Sequence, residues 1–226
     1  MLNHMCGRFS LTEEVLNLQR GFEFYYADEE RPRYNIAPGQ QILTVIEQEG
    51  ARIGKSMKWG LVPSWAKDLK TGYKMINARS EGIETKPSFK VPFKKQRCLI
   101  LADGFYEWKR INEGKQPYRF VMKSGLPFAF AGLWDVWDKG EEPLVTCTIL
   151  TTAPNKVTEK VHDRMPVILN EEDYDFWLNS SVSETVQLSK LLVPYDEGAM
   201  EMYPVSTLVN SSKQDHPEMI KQLNSL

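Results

Sequence analysis

The chain has 226 residues and a formal net charge of -2, from 28 lysines and arginines against 30 aspartates and glutamates. Its 42% hydrophobic and 26% charged residues are typical of a globular protein, which excludes disordered and fibrous classes. No apolar run is long enough to span a membrane, the first residues lack a signal-peptide pattern, and three dispersed cysteines form no disulfide framework. We therefore expect a cytoplasmic, monomeric protein with reduced thiols, no membrane partner and no cofactor. The histidines and cysteines also lack metal-ligand spacing.

Short segments rich in β-branched and aromatic residues predict strands at 42–47, 97–101, 118–123, 128–133 and 145–151. Helical patterns are fewer. They predict a helix from a cap at Thr12 to about Arg20, and helices over 78–85, 171–178 and 184–192, the last ended by Pro194. Because strands and helices do not alternate regularly, we expect an α+β fold. This would be a single compact domain on a curved, barrel-like, mostly antiparallel β-sheet with flanking helices.

Positive charge is concentrated between Arg52 and Arg97, where twelve lysines and arginines stand against three acidic residues. This basic segment carries +9, and the rest of the chain carries -11. It also contains Trp59, Trp65 and Tyr73. Aromatic residues interleaved with cations suit single-stranded nucleic acid, whose bases stack and whose phosphates need neutralising. A solvated basic face over core tryptophans is the alternative, and composition does not separate the two.

Four polar residues stand in apolar or turn-like contexts that suit chemistry: Cys6, Asn77, Glu107 and His162. A thiol, an amide, a carboxyl and an imidazole are the parts of a nucleophilic site with acid–base partners. Each also has a structural interpretation, as a core cysteine, an edge-strand glutamate or a polar turn. The aromatic neighbours of Glu107 favour desolvation and a raised pKa. Cys98 and Cys147 lie within apolar strands and are assigned to the core.

Cys6 follows a methionine, and if Met5 were the start of the chain, its removal would leave an α-amine beside the thiol. An α-amine has a pKa near 7.7–8.0, so on the order of a tenth is neutral at pH 7. Such an amine condenses with an aldehyde to an imine, and the neighbouring thiol then closes a thiazolidine ring. Beside a basic, aromatic groove, the aldehyde of an abasic site in DNA is the partner that this chemistry indicates.

The sequence resembles the SOS response-associated peptidase (SRAP) family of abasic-site cross-linking proteins. The resemblance extends from Met5 to about Asn210 and rests on ordered blocks: MCGRFS, YNIAPGQ, WGLVPSWAKD, INARSEGI, RCLILADGFYEWK, FAFAGLWD, TCTILTTAPN and VHDRMPVIL. It implies the family's compact β-rich fold over 6–210; residues 1–5 before it are a leader or remnant, and the residue pattern of 211–226 predicts a C-terminal tail with a short helix. It also implies DNA damage and SOS-response functions, with association with the nucleoid when DNA is bound.

The resemblance also implies roles for the four polar residues. Cys6 matches the cysteine that forms the thiazolidine, and Asn77 the asparagine that hydrogen-bonds the ring and the sugar oxygen. Glu107 matches the acid beside the α-amine, which moves protons during ring closure. His162 matches the histidine that protonates the opened sugar oxygen and assists Schiff-base chemistry, including reversal and strand scission of a lyase type.

DNA-binding residues follow from the same resemblance. Arg8, Arg79 and Arg164 match arginines that hold phosphates flanking the lesion, while Pro38, Trp59, Trp65 and Trp108 lie in blocks that line or support the DNA channel. An abasic site lacks the base that would resist unstacking, so it reaches the cysteine at low cost. Because phosphate contacts do not read sequence, we expect little sequence preference and strong salt dependence.

The sequence departs from the family pattern at its start, where Met1-Leu2-Asn3-His4 precedes Met5. With these residues attached, Cys6 has an amide nitrogen and forms neither an imine nor a thiazolidine. The leader is a remnant or a misassigned start, or it is removed by the protein itself through attack of Cys6 on the preceding carbonyl, or it persists and the chain is inactive. The sequence does not decide among these.

Two other functions remain open from the sequence. One is a cysteine peptidase, a hydrolase acting on other proteins, although the basic segment favours an anionic substrate. The other is a non-covalent module that binds single-stranded DNA and whose polar cluster is structural. The sequence identifies neither replication-associated partners nor a preferred DNA junction.

Overall fold

The computed structural model describes residues 6–223, and the leader predicted at 1–5 lies outside the described residues. Its strands are β1 Phe9–Leu11, β2 Arg33–Ile36, β3 Gln41–Gln48, β4 Ala51–Trp59, β5 Asn77–Arg79, β6 Arg97–Ala102, β7 Gly104–Ile111, β8 Gly114–Met122, β9 Phe128–Trp137, β10 Leu144–Thr152, β11 Met165–Pro166, β12 Ile168–Leu169 and β13 Met200–Pro204. Its α-helices are short: α1 Val15–Phe22, α2 Lys90–Lys95, α3 Tyr174–Leu178 and α4 Thr185–Ser189. Single 3-10 turns cover Leu69–Lys74, Thr158–Lys160, Glu171–Asp173, Glu197–Ala199, Thr207–Asn210 and Pro217–Ile220.

Five strands close into a mixed barrel in the order β10-β4-β3-β6-β9, with β9 pairing back onto β10. All these pairings are antiparallel except that of β10 with β4. Closure leaves almost every residue of β6 and β9 buried, which explains why their sequences read as continuous apolar runs. Gly132 belongs to this packing, because a Cβ there would lie 2.7 Å from the Cys98 Sγ.

A second sheet, in the order β13-β8-β7-β1-β2, packs on the barrel through aromatic rings. Phe9 of β1 meets Phe130 of β9 edge to face at 5.8 Å, and Phe105 of β7 stacks on Phe120 of β8 at 4.8 Å. β1 and β7 pair antiparallel, with Phe9 opposite Phe105. This pairing brings the segment before β1 to the middle of β7.

The predicted α+β fold on a curved, barrel-like, mostly antiparallel sheet is confirmed, and all five predicted strands are present. The helix predicted at 171–178 is a 3-10 turn continued by α3, and the helix predicted at 184–192 is shorter, at Thr185–Ser189. No helix within residues 6–223 is long and apolar enough to cross a membrane.

Two helix predictions are wrong in part or whole. The helix predicted at 78–85 is absent, because Asn77 to Arg79 extend as β5 and pair parallel with β10, and turns follow. Ala78 is buried by this pairing, so tertiary contact overrides the local pattern. Thr12 does not cap α1, since its backbone N–H and hydroxyl both donate to Asp103 and the helix begins at Val15.

The C-terminal segment packs on the second sheet. Met219 is fully buried, and the Leu223 N–H donates to the Pro204 carbonyl of β13. The division of the chain at residue 210 stays a prediction.

Candidate functional site

Cys6 is fully buried at the entry to β1 and has a φ of +43°, a conformation that residues with a side chain rarely adopt. Its backbone N–H donates to Oε1 of Glu107 at 2.6 Å. Burial raises the pKa of the Cys6 thiol well above its usual value, and the charge of Glu107 adds to this. The thiol is therefore protonated at neutral pH.

Glu107 lies on β7 and is 2% exposed. Burial raises the pKa of its carboxyl to about 8; the Cys6 N–H opposes the shift, as does the charge of Lys115, while Asp163 adds to it. At pH 7 the carboxyl is therefore mostly protonated, and it can donate as well as accept a proton near neutrality. The raised pKa expected from the aromatic neighbours is present.

His162 is half-buried directly after the Thr158–Lys160 turn, with its backbone N–H on the Thr158 carbonyl. Its Nδ1 accepts the Arg164 N–H at 3.2 Å and lies 3.0 Å from the Asp163 carboxylate. Burial lowers the pKa of the imidazole, with Asp163 opposing the shift. The ring is therefore mostly neutral at pH 7, and its Nδ1 faces both a backbone donor and a carboxylate.

Asn77 lies half-buried on β5, opposite Ile149 of β10. Its Nδ2 is buried and has no hydrogen-bond partner among the described residues. An unpaired buried amide donor costs on the order of 1–3 kcal/mol, which a ligand acceptor would offset. Asn77 thus carries an unsatisfied buried donor.

The three predicted phosphate-binding arginines differ in their surroundings. Arg79 is exposed at the end of β5. Arg164 is mostly buried; it pairs with Glu81 through both terminal nitrogens, and one of these also donates to the Thr151 carbonyl at 2.7 Å. Arg8 donates to Asn35 and to two backbone carbonyls near the C-terminus. Of the three, Arg79 is the one in open solvent.

The predicted tryptophan and proline positions of the DNA channel differ in their exposure to solvent. Trp59 is 1% exposed; its ring meets Phe9 and its indole N–H donates to the Ile76 carbonyl, so it can support the Asn77 strand but does not face solvent. Trp65 is 57% exposed, and Pro38 is half-buried in the turn before β3. The Trp108 indole N–H donates to the Asn210 side chain. Trp65 is therefore the predicted tryptophan whose face is most open for stacking.

The structure brings Cys6 and Glu107 into direct contact and places the charge of Asp163, beside His162, close enough to raise the Glu107 pKa. Asn77, Arg79 and Arg164 gather along one strand, β10: Asn77 and Arg79 through pairing with β5, and Arg164 through Thr151. The Arg164 N–H, which donates to His162 Nδ1 at 3.2 Å, joins the two groups.

Sequence reasoning missed three residues around the site. Asp163 and Lys115 influence the pKa values of both Glu107 and His162. Asn35 is 2% exposed and accepts from Arg8. Asp163 lies within the block VHDRMPVIL and Asn35 within YNIAPGQ, so the family resemblance could have identified both residues. Nothing in the sequence singled out Lys115.

The basic segment divides into buried and exposed cations. Arg97 is 3% exposed and donates all five N–H groups to backbone carbonyls, so it takes no part in an anion-binding surface. Seven cations of the segment are exposed: Lys67, Lys70, Lys74, Arg79, Lys90, Lys94 and Lys95. Three of these flank or lie in the Leu69–Lys74 turn next to Trp65. Across residues 6–223, no three His, Cys, Asp or Glu side chains group as metal ligands.

Comparisons with known proteins identify chains similar to this one over most of its length. The family model described as SOS response associated peptidase (SRAP) matches residues 5–212. The abasic site processing protein YoqW of Bacillus subtilis is 50% identical over 223 residues, covering 96% of this chain and 99% of that protein. The abasic site processing protein HMCES of Gallus gallus is 34% identical over 261 residues, covering 96% of this chain and 77% of that protein.

Solved structures share the fold. A protein of Bacteroides thetaiotaomicron superposes with a TM-score of 0.86 at 25% identity, over 97% of this chain and all of that one. A phage-related protein of Bordetella bronchiseptica superposes with a TM-score of 0.74 at 30% identity, over 93% and 99% of the two chains.

Proposed function

The chain belongs to the SOS response-associated peptidase family, and on that premise we propose that it processes abasic sites in single-stranded DNA. Its relatives are named abasic site processing proteins. In this proposal Cys6, freed at its α-amine, captures the abasic aldehyde as a thiazolidine, and the site also supports Schiff-base chemistry of a lyase type. The observation that carries the proposal is the contact between the Cys6 nitrogen and the buried Glu107 carboxyl.

The chemistry assigned to this contact runs in two stages. The neutral α-amine of Cys6 adds to the aldehyde carbon, and protonated Glu107 gives its proton to the carbinolamine hydroxyl, which leaves as water. This leaves an iminium ion and the Glu107 carboxylate; the thiol then adds to the iminium carbon, and its proton returns to that carboxylate. Amine, thiol and aldehyde thus become one ring and one water, with no oxidant or reductant. A carboxyl with a pKa of about 8 suits this work, because both of its protonation states are accessible near pH 7.

The proposed roles of the remaining residues follow their positions. The unpaired Nδ2 of Asn77 offers a hydrogen bond to the sugar or the ring. His162 would protonate the opened sugar oxygen and so assist strand scission. Arg79, Trp65 and the neighbouring lysines present charge and a stacking face for the strand, while Arg8 and Arg164 hold phosphates that flank the lesion.

The proposal requires cleavage between Met5 and Cys6. We propose that the protein performs this cleavage when residues 1–4 are present: the Cys6 thiol attacks the Met5 carbonyl, the C–N bond breaks to give a thioester and a free α-amine, and water then hydrolyses the thioester and releases residues 1–5 as a carboxylic acid. Glu107 lies on the nitrogen that becomes the leaving amine, the position from which an acid assists that step.

A peptidase acting on other proteins receives less support from the geometry. Such an enzyme needs an accessible thiolate, whereas the Cys6 thiol is fully buried and its pKa is raised. The exposed cations also favour an anionic substrate.

Two preparations test the proposal: one that starts at Met5, with methionine removal checked by intact mass, and one that retains residues 1–4. Each is mixed with a single-stranded oligonucleotide carrying one abasic site and is run on a denaturing gel. We expect a slow band from the first, and from the second only in molecules that have lost residues 1–5. Cys98→Ala, which removes another fully buried thiol, should behave as wild type. The absence of a band from both preparations would contradict covalent capture and favour the non-covalent module that binds single-stranded DNA.

A further inference from the structure

Asn35, on β2, has each of its polar groups in a hydrogen bond although it is 2% exposed. Its Oδ1 accepts from Arg8 NH1 at 3.0 Å. Its Nδ2 donates to the carbonyls of Ser211 and Gln214 at 2.9 and 2.8 Å. One buried amide therefore joins the start of the chain to its C-terminal segment.

The Arg8 guanidinium is held from three sides. NH1 donates to Asn35 and to the Val209 carbonyl at 2.6 Å, and NH2 donates to the Asn210 carbonyl at 3.4 Å. These acceptors are all neutral, so the arginine keeps its whole positive charge. Among residues 6–223 these bonds use three of its five N–H donors, which leaves Nε and one NH2 hydrogen for a phosphate.

The C-terminal clamp, which we define as residues 209–215, is itself fastened to β2. The Asp215 carboxylate accepts the backbone N–H groups of Tyr34 and Asn35 at 2.6 and 3.0 Å. The Trp108 indole N–H also donates to the Asn210 side chain. Trp108 follows Glu107 on β7, and Arg8 is two residues from Cys6, so the clamp contacts both of the segments that carry the proposed site.

We propose that Asn35 and the C-terminal clamp position Arg8 as a preset phosphate-binding fork beside Cys6. This inference rests on the proposed function, because it assigns Arg8 a phosphate of the bound strand. An arginine free in solvent has several rotatable bonds to order when it binds, and that ordering weakens each contact. Here the ordering is supplied by folding, through neutral acceptors that do not compete with phosphate for the charge.

Asn35→Ala tests the proposal with a labelled single strand that carries a tetrahydrofuran abasic analogue, which binds but has no aldehyde. We expect affinity at moderate salt to fall about 5- to 10-fold, and the slope of log affinity against log salt to become shallower by about 0.7, the value of one phosphate contact on a single strand. Capture of a small aldehyde, followed by intact mass, should stay within twofold of wild type, since it needs no phosphate. Leu188→Ala, which empties a fully buried position on α4, controls for general loss of stability and should leave the salt slope unchanged.

A double-mutant comparison sharpens the test. Arg8→Ala should lose the same salt slope, and adding Asn35→Ala to it should cost little more, because both changes remove one contact. Asp215→Ala should weaken binding in the same direction, and Asp215→Asn, which keeps an acceptor oxygen, should restore it.

Three results would overturn the proposal: an unchanged salt slope in Asn35→Ala, additive losses in the double variant, or a parallel fall in small-aldehyde capture. Failure of the proposed function looks different. Wild type would then capture neither the small aldehyde nor a true abasic site, while the salt slopes on the unreactive analogue would still decide the role of Asn35.

Discussion

The backbone nitrogen of Cys6 lies 2.6 Å from Oε1 of Glu107, although 101 positions separate the two residues in sequence. The contact exists because β1 and β7 pair antiparallel, with Phe9 opposite Phe105. It sets a buried acid against the one nitrogen that becomes an amine when the preceding residues are removed.

Cys6→Ala, prepared so that the substituted alanine is the first residue of the chain, keeps the amine and loses the thiol. We expect it to form no cross-link that survives a denaturing gel, because the imine reverses in water. Borohydride should still trap that imine as a covalent band. A stable band without borohydride would contradict ring closure by the Cys6 thiol.

Glu107→Gln keeps an oxygen for the Cys6 N–H and removes the titratable proton. We expect the cross-linking rate to fall by about 100-fold, the low end for loss of a general acid. DNA binding to the unreactive analogue should be unchanged, which separates proton transfer from binding. A rate within threefold of wild type would remove Glu107 from the chemistry.

The same variant tests the pH dependence of stability. The folded-state pKa of Glu107 is about 8 against a usual value near 4.5, so between these values the folded protein holds a proton that the unfolded chain has released. The contribution of Glu107 to the free energy of unfolding is therefore fully present below pH 4.5. It is lost as pH rises through 8, and the total loss is at most about 5 kcal/mol. We expect the melting temperature of wild type to fall from pH 6 to pH 9 more than that of Glu107→Gln. Parallel curves would contradict the raised pKa.

His162→Gln should slow strand scission at an abasic site by about 100-fold, while cross-link formation stays within threefold. Burial holds the pKa of His162 below its usual value, so the ring is mostly neutral at pH 7. If its protonated form acts on the sugar oxygen, scission by wild type should rise as pH falls toward that pKa. A pH-independent scission rate in wild type would contradict this role.

Arg97→Ala should lower the free energy of unfolding by about 3 kcal/mol or more, because it leaves buried carbonyls of the α2 and α3 regions without donors. Denaturant unfolding measures this. The salt slope of DNA binding should not change, since Arg97 is buried. A shallower slope in Arg97→Ala would return Arg97 to the DNA-binding surface.

Lys70→Ala removes an exposed lysine in the turn next to Trp65. We expect it to make the salt slope of DNA binding shallower and to leave the free energy of unfolding unchanged.

The strands were predictable because β6, β9 and β10 are buried in a closed barrel, and burial selects continuous apolar, β-branched runs. The helix expected at 78–85 is absent because pairing with a distant strand, and not the local sequence pattern, decides the structure there. Asn77 to Arg79 pair with β10, a partner about 70 residues away that no local window includes. The basic segment likewise includes Arg97, although carbonyls of the α2 and α3 regions accept its N–H groups and bury it. The α3 carbonyl belongs to Trp177, 80 residues away, so the local sequence did not show this.

The sequence by itself determined the fold class, the family and the residue types of the candidate site, because these depend on ordered blocks of residues and on local burial patterns. Only the tertiary structure decided which groups meet. The Glu107 pKa depends on burial and on Asp163, the unpaired Nδ2 of Asn77 depends on its burial beside β10, and the orientation of Arg8 depends on Asn35 and the C-terminal clamp. Each of these is a property of contacts between distant segments, whose energies arise when folding removes water from both partners at once.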